Sequence, residues 1–398
     1  MGGMREKTDM QEGWGFRRGE DPLQASNSGR SSGFMRLPGS ARPQGSSQGA
    51  LRVALGMSGG VDSSVAAALL QRAGYEVVGV TCIFHDDEAG RADADAAAQV
   101  CDALGIAHAV ADCAAAFEER VVRPFVRAYA EGLTPSPCVG CNATCKLPAL
   151  LEVAEQLGCG KVATGHYARI AQLSENGRFV VKAGLDERKD QSYMLALLSQ
   201  EQLSRLVLPL GALTKAEVRV LAADMGLPAA EAPESQDICF ISGDYRDFLR
   251  TRGVADEPGA IVDVAGAVKG AHDGLSGFTV GQRKGIGVAG PEPYYVVGKR
   301  AATRELVIGT ADQARIEGVL VGSANWQALE HLDSAREAMV KLRYRSRGVA
   351  CIMEPEGEDR VRVRLRSAQP ATAPGQYAVF YEGSTVLGGG MIEEVKRA

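Results

Sequence analysis

The sequence lacks any apolar run close to the roughly 20 residues that a membrane-spanning helix needs, which excludes a membrane-embedded protein. It also lacks a surplus of positive charge, because 49 acidic residues outnumber 44 basic ones and leave a net charge of −5. Binding of nucleic acid must therefore depend on a local basic patch. A chain of 398 residues is too long for one small core and predicts about two or three domains.

A secretory signal segment is also missing, although the sequence contains nine cysteines. Disulfide frameworks form in oxidising compartments, so this usage predicts a cytoplasmic protein with catalytic or metal-binding thiols. Residues 1–50 are rich in Gly, Ser, Arg, Pro and Gln and show no apolar periodicity. We expect residues 1–50 to be a disordered extension.

A phosphate-binding loop is predicted where an apolar strand runs into a turn of Ser and Gly and then into an alanine-rich helix. The turn, Gly56 to Ser64, reads Gly-Met-Ser-Gly-Gly-Val-Asp-Ser-Ser. Its glycines let the backbone approach a ligand, its hydroxyls donate hydrogen bonds, and the helix that follows points its positive end at an anion. No lysine follows the glycines, so the segment does not fit the Walker A loop. It resembles instead the PP-loop of ATP pyrophosphatases, which cleave ATP to AMP and pyrophosphate.

Strands and helices alternate after this loop, which predicts a Rossmann-like α/β fold with a parallel sheet and ligands at the carboxyl ends of its strands. Beyond about residue 244 Gly and Pro become frequent, and short alternating segments from residue 294 onward predict a small antiparallel β-barrel. The expected domains are a PP-loop ATP-binding catalytic domain at 51–243, a small central linking domain at 244–298 and a C-terminal β-barrel at 299–398.

Two cysteines lie on a Pro-rich segment, Thr134 to Asn142, whose prolines restrict the backbone around Cys138 and Cys141. A zinc site would need a fourth ligand, and no second CxxC pair follows. A thioredoxin-like pair is also a poor match, because it would open a helix instead of following Pro in a loop. Much later Cys239 stands between apolar neighbours, where a free cysteine is more often a buried structural thiol.

Further motifs make a family resemblance close. They are Ala-Thr-Gly-His-Tyr at 163–167, Lys-Asp-Gln-Ser-Tyr at 189–193, Ser-Gln-Asp-Ile-Cys-Phe-Ile at 235–241, Gly-Gln-Arg-Lys-Gly at 281–285, Pro-Gly-Gln at 374–376 and Leu-Gly-Gly-Gly at 387–390. With the two segments above, they stand in order from about residue 51 to 394. In this ordered set the chain resembles the tRNA-specific 2-thiouridylases of the MnmA family.

The resemblance implies an enzyme that uses ATP to adenylate the wobble uridine of tRNA and then transfers sulfur to its C2. The implied cofactors are ATP and Mg²⁺, and the implied partners are a tRNA with a wobble uridine and a sulfur-donor or relay protein. Adenylation makes the uracil oxygen a good leaving group, which a persulfide can then displace. A second thiol releases the sulfur through disulfide exchange.

By this resemblance Cys141 is the nucleophile and Cys239 is the thiol that carries a persulfide. The chain departs from the pattern at Cys138, where many family members carry Asp. Related thiolases with a CxxC pair and a distant Cys bind a [4Fe-4S] cluster, so Cys138, Cys141 and Cys239 are alternatively its three ligands. Persulfide transfer and cluster-dependent transfer both stay open at this point.

The remaining expected contacts fall into two groups. Those with the nucleotide are Gly56, Met57, Ser58, Gly59, Gly60, Val61, Asp62, Ser63, Cys82 and Gly165, of which Asp62 is the expected Mg²⁺ carboxylate. Those with tRNA are Ser136, Pro137, His166, Lys189, Asp190, Gln191, Arg343, Tyr344 and Gln376.

Two basic strand faces offer a local patch for phosphates, with the alternative of ordinary solvated faces because Glu354, Glu356, Glu358 and Asp359 are near. The first face is Lys341, Arg343, Arg345 and Arg347, and the second is Arg360, Arg362, Arg364 and Arg366. By the same parity Tyr344 points to the opposite side of its strand, although the resemblance places it at tRNA beside Arg343.

Two other functions stay open from the residues alone. One is another PP-loop ATP pyrophosphatase that adenylates a small molecule, which pyrophosphate release stimulated by tRNA would distinguish. The other is a non-catalytic metal-dependent RNA-binding module, which would not consume ATP.

Overall fold

A computed structural model of the chain describes residues 51–85, 88–228, 238–241 and 243–398. The expected disordered extension at 1–50 and the Ser-Gln-Asp start of the Cys239 motif lie outside the described residues. No helix among those described combines the length and apolarity needed to cross a membrane.

A five-stranded parallel sheet forms the first part of the molecule. Its strands are β1 (Arg52–Gly56), β2 (Glu76–Ile83), β3 (Ala107–Asp112), β4 (Lys161–Ala163) and β7 (Leu206–Val207). They lie in the order β3-β2-β1-β4-β7, so the winding of the chain reverses between β1 and β4. The Rossmann-like α/β prediction is confirmed, and the crevice beyond the carboxyl ends of β1 and β4 is where such sheets bind ligands.

Nine α-helices occur in the described part of the chain. They are α1 (Val61–Arg72), α2 (Glu88–Leu104), α3 (Ala114–Phe117), α4 (Arg123–Ala130), α5 (Pro137–Cys141), α6 (Leu147–Gln156), α7 (Gln200–Arg205), α8 (Lys215–Asp224) and α9 (Tyr245–Thr251). A π-helical turn, Asn142–Lys146, joins α5 to α6. The two cysteines expected on a loop therefore lie on a helix, which Pro137 can open because the first helical residue needs no N–H.

A separate four-stranded sheet follows, in the order β10-β11-β8-β9. Its strands are β8 (Gly259–Asp263), β9 (Val268–His272), β10 (Tyr295–Arg300) and β11 (Glu305–Gly309). The segments at 294–297 and 305–308, which we expected in the barrel, thus belong to this central sheet. The expected boundary at 298–299 falls inside β10 and separates its first part from its partner β11, because alternation predicts a strand but not the sheet that it joins.

The C-terminal part is a closed antiparallel barrel of six strands. The prediction of a small antiparallel β-barrel is confirmed. These strands are β12 (Arg315–Trp326), β13 (Arg336–Lys341), β14 (Val349–Glu356), β15 (Arg360–Pro370), β16 (Tyr377–Glu382) and β17 (Thr385–Arg397). Closure occurs because β12 pairs with both β15 and β17. A hairpin of the first part, β5 (Ala168–Gln172) and β6 (Phe179–Ala183), joins the barrel where Lys182 pairs with Thr385.

Buried polar contacts join the barrel to the first part. The fully buried side-chain amide of Gln327 accepts from Val181 N at 3.0 Å and donates to Leu195 O at 2.8 Å. The carboxylate of Asp190, only 5% exposed, pairs at 3.0 Å with Lys341 Nζ of β13. The carboxylate is shielded from water, whereas the Lys341 side chain is 24% exposed, so loss of the lysine charge leaves Asp190 as an uncompensated charge in a poorly solvated place.

Replacing Lys341 with Met should lower the free energy of unfolding by about 3 kcal/mol, the order found when one partner of a buried pair is removed. Chemical denaturation measures this change. The double variant, Asp190→Asn with Lys341→Met, should lose less stability than the sum of the losses in the two single variants. Each single variant leaves one charge without its partner, whereas the double variant has neither charge. Lys396→Met is the control: its exposed pair with Glu317 is worth under about 1 kcal/mol. Equal losses from both lysine variants would contradict the assignment.

Candidate active site

The predicted phosphate loop lies between β1 and α1 at the carboxyl edge of the sheet. Ser63 Oγ accepts from Ser58 N at 3.3 Å, and Ser64 Oγ donates to Gly60 O at 2.9 Å. These bonds fold the loop onto the first turn of α1, whose backbone N–H groups have no partner within the helix. The resulting cradle presents neutral donors and a positive helix end to an anion.

Two glycines allow this cradle to pack closely. Gly59 has φ of +71°, and a Cβ there would stand 2.6 Å from Cβ of Ala96 on α2. Gly165, just after β4, would place a Cβ 3.2 Å from Ser63 N. Gly59 and Gly165 therefore act in this structure as close-packing residues that bring α2 and the end of β4 against the loop.

Asp62 on the first turn of α1 is held by two side chains from distant parts of the sequence. Its Oδ1 accepts from Tyr167 OH and from Lys215 Nζ, each at 2.7 Å. A Mg²⁺ ion on this carboxylate would lie beside a largely buried ammonium, so with the pair formed the residues present do not fit the expected Mg²⁺ site. Binding of Mg²⁺ together with ATP stays a prediction, and no carboxylate of the protein is assigned as a ligand of the ion.

Cys141 ends α5 and is 5% exposed. Its thiol is hydrogen-bonded to that of Cys145, one helical turn later, and this bond together with burial raises the pKa of Cys141. The same bond lowers the pKa of Cys145, which is fully buried. Burial and this hydrogen bond therefore favour the protonated form of the Cys141 thiol.

Lys146 is the cation of the cysteine region. Burial opposes its charge, but the thiols of Cys141, Cys239, Cys138 and Cys145 around it raise its pKa overall. Burial and, to a smaller extent, the charge of Lys146 lower the pKa of His166 to about 4, so this imidazole is neutral at physiological pH. His166 Nδ1 lies 2.8 Å from Thr164 Oγ1.

Cys239 is exposed, and the next residue, Phe240, packs its ring against other aromatic side chains. The ring of Phe240 lies 5.1 Å from that of Phe125, 5.5 Å from Phe248 and 5.7 Å from Phe117, between centroids. Such clusters of rings fix position as well as burying area. Phe240 therefore holds the short described segment Ile238–Ile241 against the helices below it and presents the Cys239 thiol to the site.

One cavity of about 1370 Å³ unites most of the expected residues. Those that line it are Ser58, Gly60, Val61, Asp62, Pro137, Cys138, Cys141, His166, Lys189, Asp190, Gln191, Cys239 and Tyr344. The phosphate loop, Cys141, Cys239 and a turn of the barrel thus share one space, large enough for a nucleotide and a base.

Nine of the expected residues do not line this cavity. They are Gly56, Met57, Gly59, Ser63, Cys82, Ser136, Gly165, Arg343 and Gln376. The thiol of Cys82 is hydrogen-bonded to that of Cys113, and Cys82 packs against the core. Gln376 Nε2 donates to Thr134 O at 2.7 Å and so ties the barrel to the chain just before α5.

The three cysteines do not form a metal site as they are placed. In the part of the chain that the structure describes, no group of three or more His, Cys, Asp or Glu side chains could hold a metal ion. A [4Fe-4S] cluster separates its thiolate ligands farther than a single ion does, and Cys138, Cys141 and Cys239 line one cavity, so the cluster stays a prediction. No step below passes through one.

The expected tRNA contacts at Asp190 and Gln191 are engaged within the protein. Asp190 Oδ1 accepts from Gly184 N and Ser192 N, and its Oδ2 accepts from Lys341. Gln191 Oε1 accepts from Tyr167 N at 2.8 Å. These two side chains join the barrel, the phosphate loop and the turn that carries them.

The two basic faces differ from the expectation. Strand β13 ends at Lys341, so Arg343, Arg345 and Arg347 lie in a turn, where strand parity no longer applies. Arg343 donates to Val280 O and Ala371 O and links the connection between β9 and β10 to the residue that follows β15. Tyr344, Arg345 and Arg347 line the cavity, which removes the conflict over Tyr344.

On β15 the arginines do alternate outward, but most are paired with carboxylates. Arg362 pairs with Glu356, Arg364 with Glu354, and Arg366 with Glu337. This second face is a ladder of ion pairs, the alternative that the nearby acidic residues predicted, because strand parity says nothing about which partners the neighbouring strand supplies.

Three residues of the site were not predicted: Lys146, Tyr167 and Lys215. Tyr167 was within a matched motif, and Lys146 follows the cysteines by one turn. Lys215 stands 153 residues from Asp62 in sequence, and no local pattern predicts that contact.

Comparisons with known proteins agree with this architecture. Family models described as the tRNA methyl transferase HUP domain, its PRC-barrel domain and the aminomethyltransferase beta-barrel domain match residues 51–243, 246–310 and 316–392. The chain is 42% identical to the tRNA-specific 2-thiouridylase MnmA of Trichormus variabilis over 86% of this chain and 99% of that protein. It is 46% identical to the protein of the same name from Chloroflexus aurantiacus, over 85% and 98%.

A solved structure of the U34-tRNA thiolase NcsA from Methanococcus maripaludis matches with a TM-score of 0.32 and 18% identity. The match covers 51% of this chain and 64% of that one. A likeness this weak carries no argument about cofactor or mechanism.

Alkylation of Cys239 by iodoacetamide should accelerate as the pH rises past 9, because burial raises the pKa of this thiol and only the thiolate reacts. Lys146→Met removes the charge that lowers the pKa of Cys239, so alkylation at pH 8 should slow about tenfold, equivalent to one pKa unit. Mass spectrometry of the Cys239 peptide measures the rate.

Lys161→Met is the matched control, because Lys161 Nζ donates to Ser204 O at the other end of β4. An alkylation rate in Lys146→Met equal to that in the control would contradict the role of this charge.

Proposed function

The chain belongs to the tRNA-specific 2-thiouridylase family, and we propose on that basis that it transfers sulfur to C2 of the wobble uridine of tRNA, cleaving ATP to AMP and pyrophosphate. It is a tRNA sulfurtransferase, and its PP-loop fold binds ATP. The observation that carries the finer proposal is the single cavity that contains the phosphate loop, Cys141 and Cys239. A small-molecule synthetase would have no use for the two thiols beside the loop.

The first half-reaction activates the base. The O2 atom of the uridine attacks the α-phosphorus of ATP, a bond forms between O2 and phosphorus, and pyrophosphate leaves. The neutral donors of the phosphate loop stabilise the phosphates. Neutral His166, which lines the same cavity, can offer or accept one hydrogen bond to the base without adding charge.

The second half-reaction moves the sulfur. The terminal sulfur of a persulfide on Cys239 attacks C2, and AMP leaves with the former O2 atom. The thiolate of Cys141 then attacks the inner sulfur of Cys239, which releases 2-thiouridine and forms a Cys141–Cys239 disulfide. The two electrons that reduce the transferred sulfur come from these thiols, and an external dithiol restores them. Cys239 is exposed, which suits reloading by a sulfur-donor protein.

We propose that tRNA enters over the barrel side of the cavity. Lys189, Tyr344, Arg345 and Arg347 line this side. Tyr344 offers a ring for stacking, and the basic residues offer contacts to phosphates, the combination that holds an extruded base. Because the net charge is negative, binding of tRNA requires a local basic patch. We place this patch at the turn after β13 and not on β15.

Three cysteine variants test the sulfur route. In metal-free protein supplied with a persulfide donor, Cys141→Ser and Cys239→Ser should each abolish thiolation of unmodified tRNA, whereas Cys138→Ser should retain most of it. Mass spectrometry of digested tRNA measures 2-thiouridine. Loss of product in Cys138→Ser, or in wild-type protein once metal is removed, would favour a cluster held by the three cysteines.

Pyrophosphate release provides an independent test of the first half-reaction. ATP cleavage should be strongly stimulated by unmodified tRNA and should survive in Cys239→Ser, because adenylation precedes sulfur transfer. An equal rate of ATP cleavage with and without tRNA would favour a small-molecule substrate.

A further inference from the structure

A fourth cysteine, Cys145, lies next to the proposed nucleophile, and the sulfur route proposed above does not use it. It follows Cys141 by four residues, within the π-helical turn Asn142–Lys146 that continues α5. Residues at this spacing share one face of a helix. The two thiols are hydrogen-bonded to each other, and the side chains of Cys141 and Cys145 are 5% and 0% exposed.

The cysteines of the site lie at different depths in the wall of the cavity. Cys239 is exposed, and Cys141 lines the cavity together with it. Cys145 does not line the cavity, but packs with Cys141 and the ring of Phe240 in one apolar cluster. Cys141 therefore has one thiol on its cavity side and another on its buried side.

This order of thiols matters once sulfur transfer has taken place. The proposed route ends in a disulfide between Cys141 and Cys239, and Cys239 cannot accept new sulfur until that bond is broken. A thiolate breaks a disulfide by attacking one sulfur from the side opposite to the sulfur that leaves. Cys145 has that position relative to Cys141. Cys138 is also one turn from Cys141, but it lines the cavity on the same side as Cys239.

A bond between the two helical cysteines is within reach. In a helix the Cα atoms of residues four positions apart are about 6 Å from each other, inside the range of about 4.4–6.8 Å that a disulfide bridges. A buried cysteine that only fills space needs neither this spacing nor a hydrogen bond to the nucleophile. Lys146 interacts electrostatically with the thiols of Cys141, Cys145 and Cys239, so its charge stabilises the thiolate that leaves as well as the one that attacks.

We propose that Cys145 is the resolving thiol of the sulfur-transfer reaction, which attacks Cys141 in the Cys141–Cys239 disulfide and frees Cys239. This inference rests on the proposed function. A bond forms between the sulfurs of Cys145 and Cys141, the bond between those of Cys141 and Cys239 breaks, and its electron pair stays on Cys239. The proton that Cys145 loses balances the one that Cys239 gains.

This step moves the disulfide without any net oxidation or reduction. The external dithiol that the proposed function already requires then reduces the Cys141–Cys145 bond by attacking Cys141 at the cavity wall. Cys239 is meanwhile a free, exposed thiol that a sulfur-donor protein can reload. Resolution by Cys145 thus separates the supply of sulfur from the supply of electrons.

The test locates the disulfide after one turnover. Wild-type protein receives one equivalent of a persulfide donor, then ATP and unmodified tRNA, without oxygen or reductant. Free thiols are alkylated in acid, and mass spectrometry of the unreduced tryptic digest identifies the bonds. Trypsin leaves Cys138, Cys141 and Cys145 in one peptide, residues 128–146. We expect an internal disulfide in this peptide, alkylated Cys239, and neither disulfide when ATP is omitted.

Cysteine variants assign the internal bond. Cys138→Ser leaves Cys141 and Cys145 as the only thiols of the peptide and should keep the internal disulfide. Cys145→Ala should lose it and instead accumulate a disulfide between the 128–146 peptide and the Cys239 peptide. This variant should still make the first equivalent of 2-thiouridine, because Cys145 acts after the product is released.

Two further variants control for packing. Cys145→Ser keeps the size of the side chain and cannot form a disulfide, so it should accumulate the same Cys141–Cys239 bond as Cys145→Ala. Cys159→Ala removes another buried cysteine, just before β4, and should give the wild-type pattern of disulfides.

Each outcome decides a different claim. If wild-type protein makes 2-thiouridine but keeps the Cys141–Cys239 disulfide with Cys145 alkylated, the role of Cys145 is wrong and the proposed function stands. An internal disulfide that disappears in Cys138→Ser and persists in Cys145→Ala would assign resolution to Cys138 and overturn this inference. If wild-type protein makes no 2-thiouridine, the proposed function fails and this inference fails with it. Product without any disulfide, formed only by metal-loaded protein, would overturn the persulfide route and the role of Cys145 together.

Discussion

The buried ion pair between Asp190 and Lys341 is the contact on which the rest of the site depends. Asp190 is fixed by two backbone N–H groups, so the pair holds the barrel against a rigid turn. The next residue, Gln191, bonds to the backbone of Tyr167, whose hydroxyl holds Asp62 at the phosphate loop. The strand that carries Lys341 leads directly into the turn with Tyr344. One short turn therefore positions the loop and the basic patch relative to each other.

The surroundings of the cavity thiols control their protonation. Burial and thiol hydrogen bonding raise the pKa of Cys141, and burial raises that of Cys239, so neither is a ready nucleophile at rest. Lys146 lies among these thiols and stabilises whichever loses its proton. A cation shared by several thiols suits a reaction in which negative charge passes from one sulfur to another.

Local pattern was enough for the parts of the molecule that depend on local geometry. The strand, glycine turn and alanine helix of the phosphate loop each have a sequence signature, and the parallel sheet followed from the alternation of strands and helices. The sequence pattern was misleading where tertiary packing decides: the two cysteines lie on a helix, and β11 joins the central sheet. The arginines of β15 alternate as predicted, yet the neighbouring strands supply carboxylates for most of them.

The sequence by itself determined the strand, turn and helix of the phosphate loop, the class of fold and the family, because each of these depends on short motifs and on the order of strands and helices along the chain. Only the tertiary structure decided which charges meet. Lys215 reaches Asp62 across 153 residues, Lys341 reaches Asp190 across 151, and Lys146 lies among four thiols from two separate segments. Such contacts form where the chain returns to the carboxyl edge of one sheet, and no local periodicity carries information about that return.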